Sequence, residues 1–145
     1  LNLKELQDYI STEEPFEGSV NFVNWIQEKT QFFILSGIFN EFAIPFLEKL
    51  NSPKIFCNQL TINENGAITG YEIKKSNNKS LIVKHLQSQG NKVIAFGDSY
   101  NDLDMINTAD VGFLYNPSEK IQKEYPDIPV AKNFNEAKEI ISKYI

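Results

Sequence analysis

The chain has 145 residues, 41% of them hydrophobic, with a net charge of -5 and a pI near 4.9: one domain's length, with enough apolar residues for a core. No basic stretch interleaves with aromatics, which argues against nucleic acid, and no apolar run approaches the ~18 residues of a membrane-spanning helix. The single cysteine, Cys57, excludes an internal disulfide and a thiolate metal cluster.

In chain order, Leu3, Leu6 and Ile10 fall at helical spacing. This opening is too polar for a signal peptide, and a cytoplasmic, reducing compartment fits it. The chain begins at Leu1 rather than Met, which leaves room for residues upstream. Pro15 breaks the first pattern. Ser19–Lys29 reads as an amphipathic helix with Val20, Val23 and Ile26 on one face and Trp25 in the core. Phe32–Leu35 reads as a buried strand ending at Ser36-Gly37, with a helix beginning after it. Phe39, Phe42, Phe46 and Leu50 repeat at helical spacing, and Pro45 should kink that helix or mark a late start. Lys54–Cys57 is a short strand holding a buried, inert thiol. Leu60–Ile73 is a hairpin with Asn65-Gly66 as its two-residue turn.

Lys74–Lys79 is a basic loop. Ser80–Gln89 is a helix stopped by Gly90, and its His85 reads as a face residue. Val93–Phe96 is a second buried strand, with a short helix from Leu103. Val111–Leu114 is another strand. Asn116-Pro117 starts a helix that ends before Pro126. After a small strand at Val130-Ala131, Asn133 caps a last helix with Phe134, Ala137, Ile140, Ile141 and Tyr144 as its apolar face. Strands alternating with helices predict an α/β fold with a parallel sheet covered on both faces.

Three stretches suggest chemistry. In Val93–Met105, VIAFGDSYNDLDM, Asp98 and Asp102 follow a strand end, where open α/β sheets bind ligands. Two such carboxylates suit Mg²⁺, although the same residues also read as a strand followed by a helix that Asp102 caps. Ser36-Gly37 offers a hydroxyl and a backbone N–H at a helix start, either a small anion site or a plain cap. Lys79 opens a helix, where the macrodipole disfavours a cation, so a phosphate or a buried carboxylate should fix it unless it is simply solvated beside Lys74, Lys75 and Lys84.

In this order and setting, Ser36, Lys79 and the Gly-Asp-Ser-Tyr-Asn-Asp string resemble the second, third and fourth motifs of the haloacid dehalogenase superfamily. Within it the chain is most similar to phosphoserine phosphatases, including the branch that passes a phosphoryl group to homoserine. The resemblance implies a three-layer Rossmann-like core with a mostly parallel sheet, carried by residues 15–145, and a cap tail over residues 1–14. It implies Mg²⁺ on Asp98 and Asp102, the latter through water or by orienting Asp98. It implies phosphate oxygens on Ser36, Gly37 and Lys79, catalytic roles for Lys79, Asp98 and Asp102, and Asn101 facing the substrate. The implied substrate is a small phosphomonoester, phosphoserine above others.

The superfamily's first motif, Asp-x-Asp after an apolar strand, supplies the nucleophile and the acid. Here the only Asp-x-Asp is Asp102-Leu103-Asp104, with no apolar strand leading into it. The first strand and most of the cap are therefore expected to be absent, and the chain inactive alone. The unpaired edges of the Phe32 and Val93 strands would then invite self-association or the missing segment. The alternative is a non-catalytic module that binds metal, phosphate or a partner.

Overall fold

A computed structural model describes residues 2–73 and 78–145. The expected loop from Lys74 therefore lies largely outside the described residues. Contacts divide the chain into two compact units, Leu1–Asn77 and Asn78–Ile145.

The first unit contains α1 (Leu3–Ile10), α2 (Ser19–Gln27), β1 (Phe33–Phe39), α3 (Asn40–Leu47), β2 (Lys54–Ile62) and β3 (Ile68–Glu72). Its sheet runs β1-β2-β3, with β1 on β2 parallel and β2 on β3 antiparallel. The two segments expected around Cys57 and Leu60 are thus one strand, whose first half pairs with β1 and second half with β3. Phe22, Val23, Ile26, Ala43, Leu50 and Cys57 form the buried core. Trp25 is not in it. It is half-buried, stacks on Phe22 at 6.2 Å and lies under the Lys29 ammonium.

The hairpin turn also differs from expectation. Gly66 N–H donates to Asn63 O, and Asn63 N–H to Ala67 O. The loop is therefore three residues, Glu64, Asn65 and Gly66, with Gly66 at φ 80°, a type I turn closed by a left-handed residue. Asn63 decides this: its side-chain oxygen accepts from both Asn65 N–H and Ala67 N–H.

Pro45 lies inside α3. It removes the N–H that would reach Glu41 O, four residues back. The Gln7 amide of α1 fills the vacancy, donating to Glu41 O at 2.9 Å. The Glu41 carboxylate in turn accepts from Leu60 N–H of β2 at 3.0 Å.

The second unit contains α4 (Lys79–Ser88), β4 (Ile94–Gly97), α5 (Leu103–Thr108), β5 (Val111–Tyr115), α6 (Glu119–Glu124), β6 (Val130–Ala131) and α7 (Phe134–Ser142). Its sheet is wholly parallel, in the order β4-β5-β6. Phe113 and Leu114 are fully buried at its centre, Phe96 stacks on Phe113 at 4.8 Å, and Leu103, Ile106 and Ile121 close the core. Asn133 caps α7 as expected, and Ala137 and Ile141 are its buried residues, while Tyr144 is exposed beyond its end. The helix expected from Asn116 starts later. Asn116 sits at φ 41°, and Ser118 caps α6 by accepting from Ile121 N–H. β1 and β4 are each the outermost strand of their own sheet.

Replacing Gln7 by Ala should destabilise the chain by about 1–2 kcal/mol, the cost of an unsatisfied carbonyl. In a Pro45→Ala background, where the N–H returns, the same change should cost much less. Urea unfolding of the four variants checks this coupling.

Candidate active site

The second unit's site is built from the end of β4 and the start of α4. β4 ends at Gly97, opposite Leu114 and one residue short of the end of β5, so Asp98 lies just past the carboxyl end of its strand. Residues Tyr100–Asp102 make one 3-10 turn that leads into α5. That turn rotates Asp102 back under the loop while Asp98 and Asn101 stay exposed.

Asp102 is the only buried charged residue among those described. Its Oδ1 accepts from Lys79 Nζ at 2.6 Å. Its Oδ2 accepts from Asp98 N–H at 3.1 Å and from Ser99 N–H and the Ser99 hydroxyl, both at 3.3 Å. Burial alone would raise its pKa. The hydrogen bond and charge of Lys79, with the Ser99 and Asp98 N–H groups, outweigh burial and hold it below the usual carboxylate value. Gly97 is required by this arrangement, because a Cβ there would overlap the Asp102 carboxylate.

Lys79 is the first residue of α4, and the Asn78 side chain caps that helix by accepting from Ser80 and Leu81 N–H. Of the two partners expected for a lysine at this position, the structure supplies the buried carboxylate. His85 is an exposed face residue in the last turn of the same helix.

Ser36 and Gly37 lie in the first unit, and not at a helix start. β1 runs on to Phe39, and α3 begins at Asn40. The reason is an irregular stretch. Pairing with β2 passes from Leu35 opposite Phe56 to Phe39 opposite Asn58, so Ser36, Gly37 and Ile38 face Cys57 alone. The strand bulges there. Gly37 is exposed, Ser36 Oγ accepts from Ile38 N–H at 3.2 Å, and Gly37 O accepts from the Asn58 amide at 3.0 Å.

Sequence reasoning gave no role to Tyr100. Its hydroxyl donates to Glu124 of α6 at 2.8 Å. That bond, with slight desolvation and the nearby charge, keeps the phenol above its ordinary pKa. The 24-residue separation leaves no local pattern from which to read it.

The donor set bears on metal binding. Among the described residues no group of three or more His, Cys, Asp or Glu side chains is arranged to hold a metal ion. Asp98 offers an exposed carboxylate at the strand end. Both oxygens of Asp102 already carry donors. This suits an ion such as Mg²⁺, which takes one or two carboxylates and fills its shell with water and substrate phosphate.

Comparison with known proteins agrees with this architecture. A haloacid dehalogenase-like hydrolase family profile matches residues 2–110. The chain belongs to the haloacid dehalogenase-like hydrolases. It is 36% identical over 138 residues to a phosphoserine phosphatase of Pseudomonas syringae pv. tomato, covering 95% of this chain and 58% of that protein. It is also 36% identical over 138 residues to phosphoserine phosphatase ThrH of Pseudomonas aeruginosa, covering 95% of this chain and 67% of that one. A solved substrate-bound phosphoserine phosphatase superposes with a TM-score of 0.74 at 25% identity, over 100% of this chain and 70% of its own. The chain thus spans roughly three-fifths to two-thirds of the length of these two relatives. Its α/β fold with parallel pairing in both units is that of a phosphoserine phosphatase-like family member. Among the described residues no helix is long and apolar enough to cross a membrane.

Lys79→Met should leave a buried carboxylate without its cation and destabilise the chain by about 3 kcal/mol. The folded-state pKa of Asp102 is depressed, so its ionised form adds stability at neutral pH. That contribution starts to fall as pH drops towards the unfolded value, about 4, and is lost as pH falls through the folded one. Urea midpoints of wild type and Asp102→Asn should therefore be well separated at pH 7 and draw together as pH is lowered below about 4.

Proposed function

We propose that the chain is part of a Mg²⁺-dependent phosphomonoester hydrolase of the phosphoserine phosphatase type, with phosphoserine as the favoured substrate. In this reading residues 1–14 end the family's cap region and residues 15–145 carry the core. A reducing, cytoplasmic setting suits the lone buried thiol. The observation that carries the reading is the Lys79–Asp102 pair beneath a strand-end loop that turns Asp98 outward.

The residues divide the work by environment. Asp98 would hold Mg²⁺. Asp102 orients it, fixing the Asp98 backbone N–H instead of ligating directly, because its own oxygens are engaged. Lys79 has three donors and gives one to Asp102. The others would face the phosphoryl group and offset its charge. Ser36 and Gly37 would hold phosphate oxygens, and Asn101 would contact the substrate. When bound, Mg²⁺ would neutralise and orient the phosphate.

The reaction runs through an aspartyl phosphate, with a second aspartate as general acid and then base. None of the carboxylates above suits the attack. Asp102 is tied to Lys79, Asp98 is assigned to the cation, and Asp104 points to solvent on α5. The nucleophile is assigned to an Asp-x-Asp strand outside these 145 residues.

The 145-residue chain, assayed on phosphoserine and an aryl phosphate, should give no Mg²⁺-dependent turnover. Extension at its N-terminus by a β-strand ending in Asp-x-Asp should confer it. In that extended chain Lys79→Ala should lower kcat by about 10²-fold or more, and Asp98→Asn should weaken Mg²⁺ binding more than Asp104→Asn. Robust turnover by the unextended chain would place the nucleophile among these residues and overturn the assignment.

A further inference from the structure

The loop that presents Asp98 and Asn101 is held on its inner side by Asp102. Among the described residues Tyr100 holds its outer side, through a side chain that reaches α6. The Tyr100 hydroxyl donates to Glu124 at 2.8 Å. The Lys120 ammonium lies 6.0 Å from the Tyr100 ring centre. Lys120 and Glu124 are four residues apart on α6, hence neighbours on one helix face, and the aromatic side chain lies along both. Tyr125, at the C-terminal end of α6, closes the third side in an edge contact at 6.4 Å. The neighbouring core anchors α6 in turn, through the fully buried Ile121.

We propose that Tyr100 is a positioning residue, a latch that fastens the Asp98–Asp102 loop to α6 and thereby keeps Asp98 and Asn101 outward. Its bearing on catalysis rests on the phosphatase reading above; the latch itself does not. The chemistry suits the task. A cation on the ring face, a carboxylate on the hydroxyl and an aromatic edge fix three directions at once. Two are set by the spacing of α6, so a shift of that helix would shift the loop. Phenylalanine would keep the ring contacts and lose the hydroxyl. Alanine would lose all three.

Amide hydrogen exchange by NMR on the 145-residue chain tests this without activity. The reporters are Asp98 and Ser99 N–H, both bonded to Asp102. Tyr100→Ala should speed their exchange by about tenfold, while the amides of β4 and β5 keep their protection. Tyr100→Phe should recover a large part of the difference, a graded rescue that a general loss of stability would not give. Equal exchange at Asp98 and Ser99 in wild type and Tyr100→Ala overturns the latch, as does loss of protection spread evenly over β4 and β5. A Mg²⁺ titration of the same samples separates the two ideas. If the Asp98 and Asn101 amides shift in wild type, with a midpoint moved to higher Mg²⁺ in Tyr100→Ala, both stand. If loop exchange quickens but Mg²⁺ leaves those amides unmoved in wild type, and in the N-terminally extended chain as well, the latch is supported and the metal assignment is overturned.

Discussion

The second unit depends on a buried carboxylate kept ionised. Removing Asp102 from water is unfavourable unless every lone pair finds a donor. Lys79 supplies the countercharge, and the Ser99 hydroxyl with two successive backbone N–H groups supplies the rest. Meeting that requirement fixes much else. It joins the first residue of α4 to the turn after β4. It excludes a side chain at position 97. It also directs the Asp98 and Ser99 amides inward, so the Asp98 carboxylate is left to face solvent.

Two aspartates four residues apart thus acquire opposite characters from their surroundings. Different environments acting on one residue type are a common way for a site to divide roles. Asp102 is an anchor that holds Lys79 and the loop. Asp98 is the exposed ligand. The sequence pattern placed both as metal ligands or one as a helix cap, and the geometry contains part of each idea. The carboxylate of Asp102 accepts from the Ser99 backbone at the start of the 3-10 turn, as the third residue of a capping box does.

Features set by local chemistry were legible. The apolar runs at Val93 and Val111, the Gly90 stop and the Asn133 cap each rest on a few adjacent residues, and each was found where expected. Lys79 was legible through the conflict between its charge and the helix dipole, which called for a partner. Errors arose where a short-range signal met a competing group. Asn65-Gly66 is a strong turn signal, but the Asn63 side chain captured two N–H groups and lengthened the loop. Ser36-Gly37 looked like a strand end because the regular ladder lapses there, yet pairing resumes at Phe39. Gln7 below Pro45 and Glu124 below Tyr100 have no signature, since each joins residues more than twenty positions apart.

Small residues determine how near α5 can lie to its sheet, and that distance sets the height of Asp102. α5 packs on both β4 and β5. A Cβ at Gly112 would overlap the carbonyl of Ile106, just as one at Gly97 would overlap Asp102. Gly112 pairs with Ala95, two residues before Gly97 on the adjacent strand, so the sheet is stripped of bulk under the helix at two neighbouring points. Leu103, Met105 and Ile106 then fill the space with buried side chains. Larger residues at 97 or 112 would lift the helix, take Asp102 away from the Asp98 and Ser99 amides, and draw it from Lys79. The close packing and the ion pair are one constraint, the first setting the position and the second making that position tolerable for a charge.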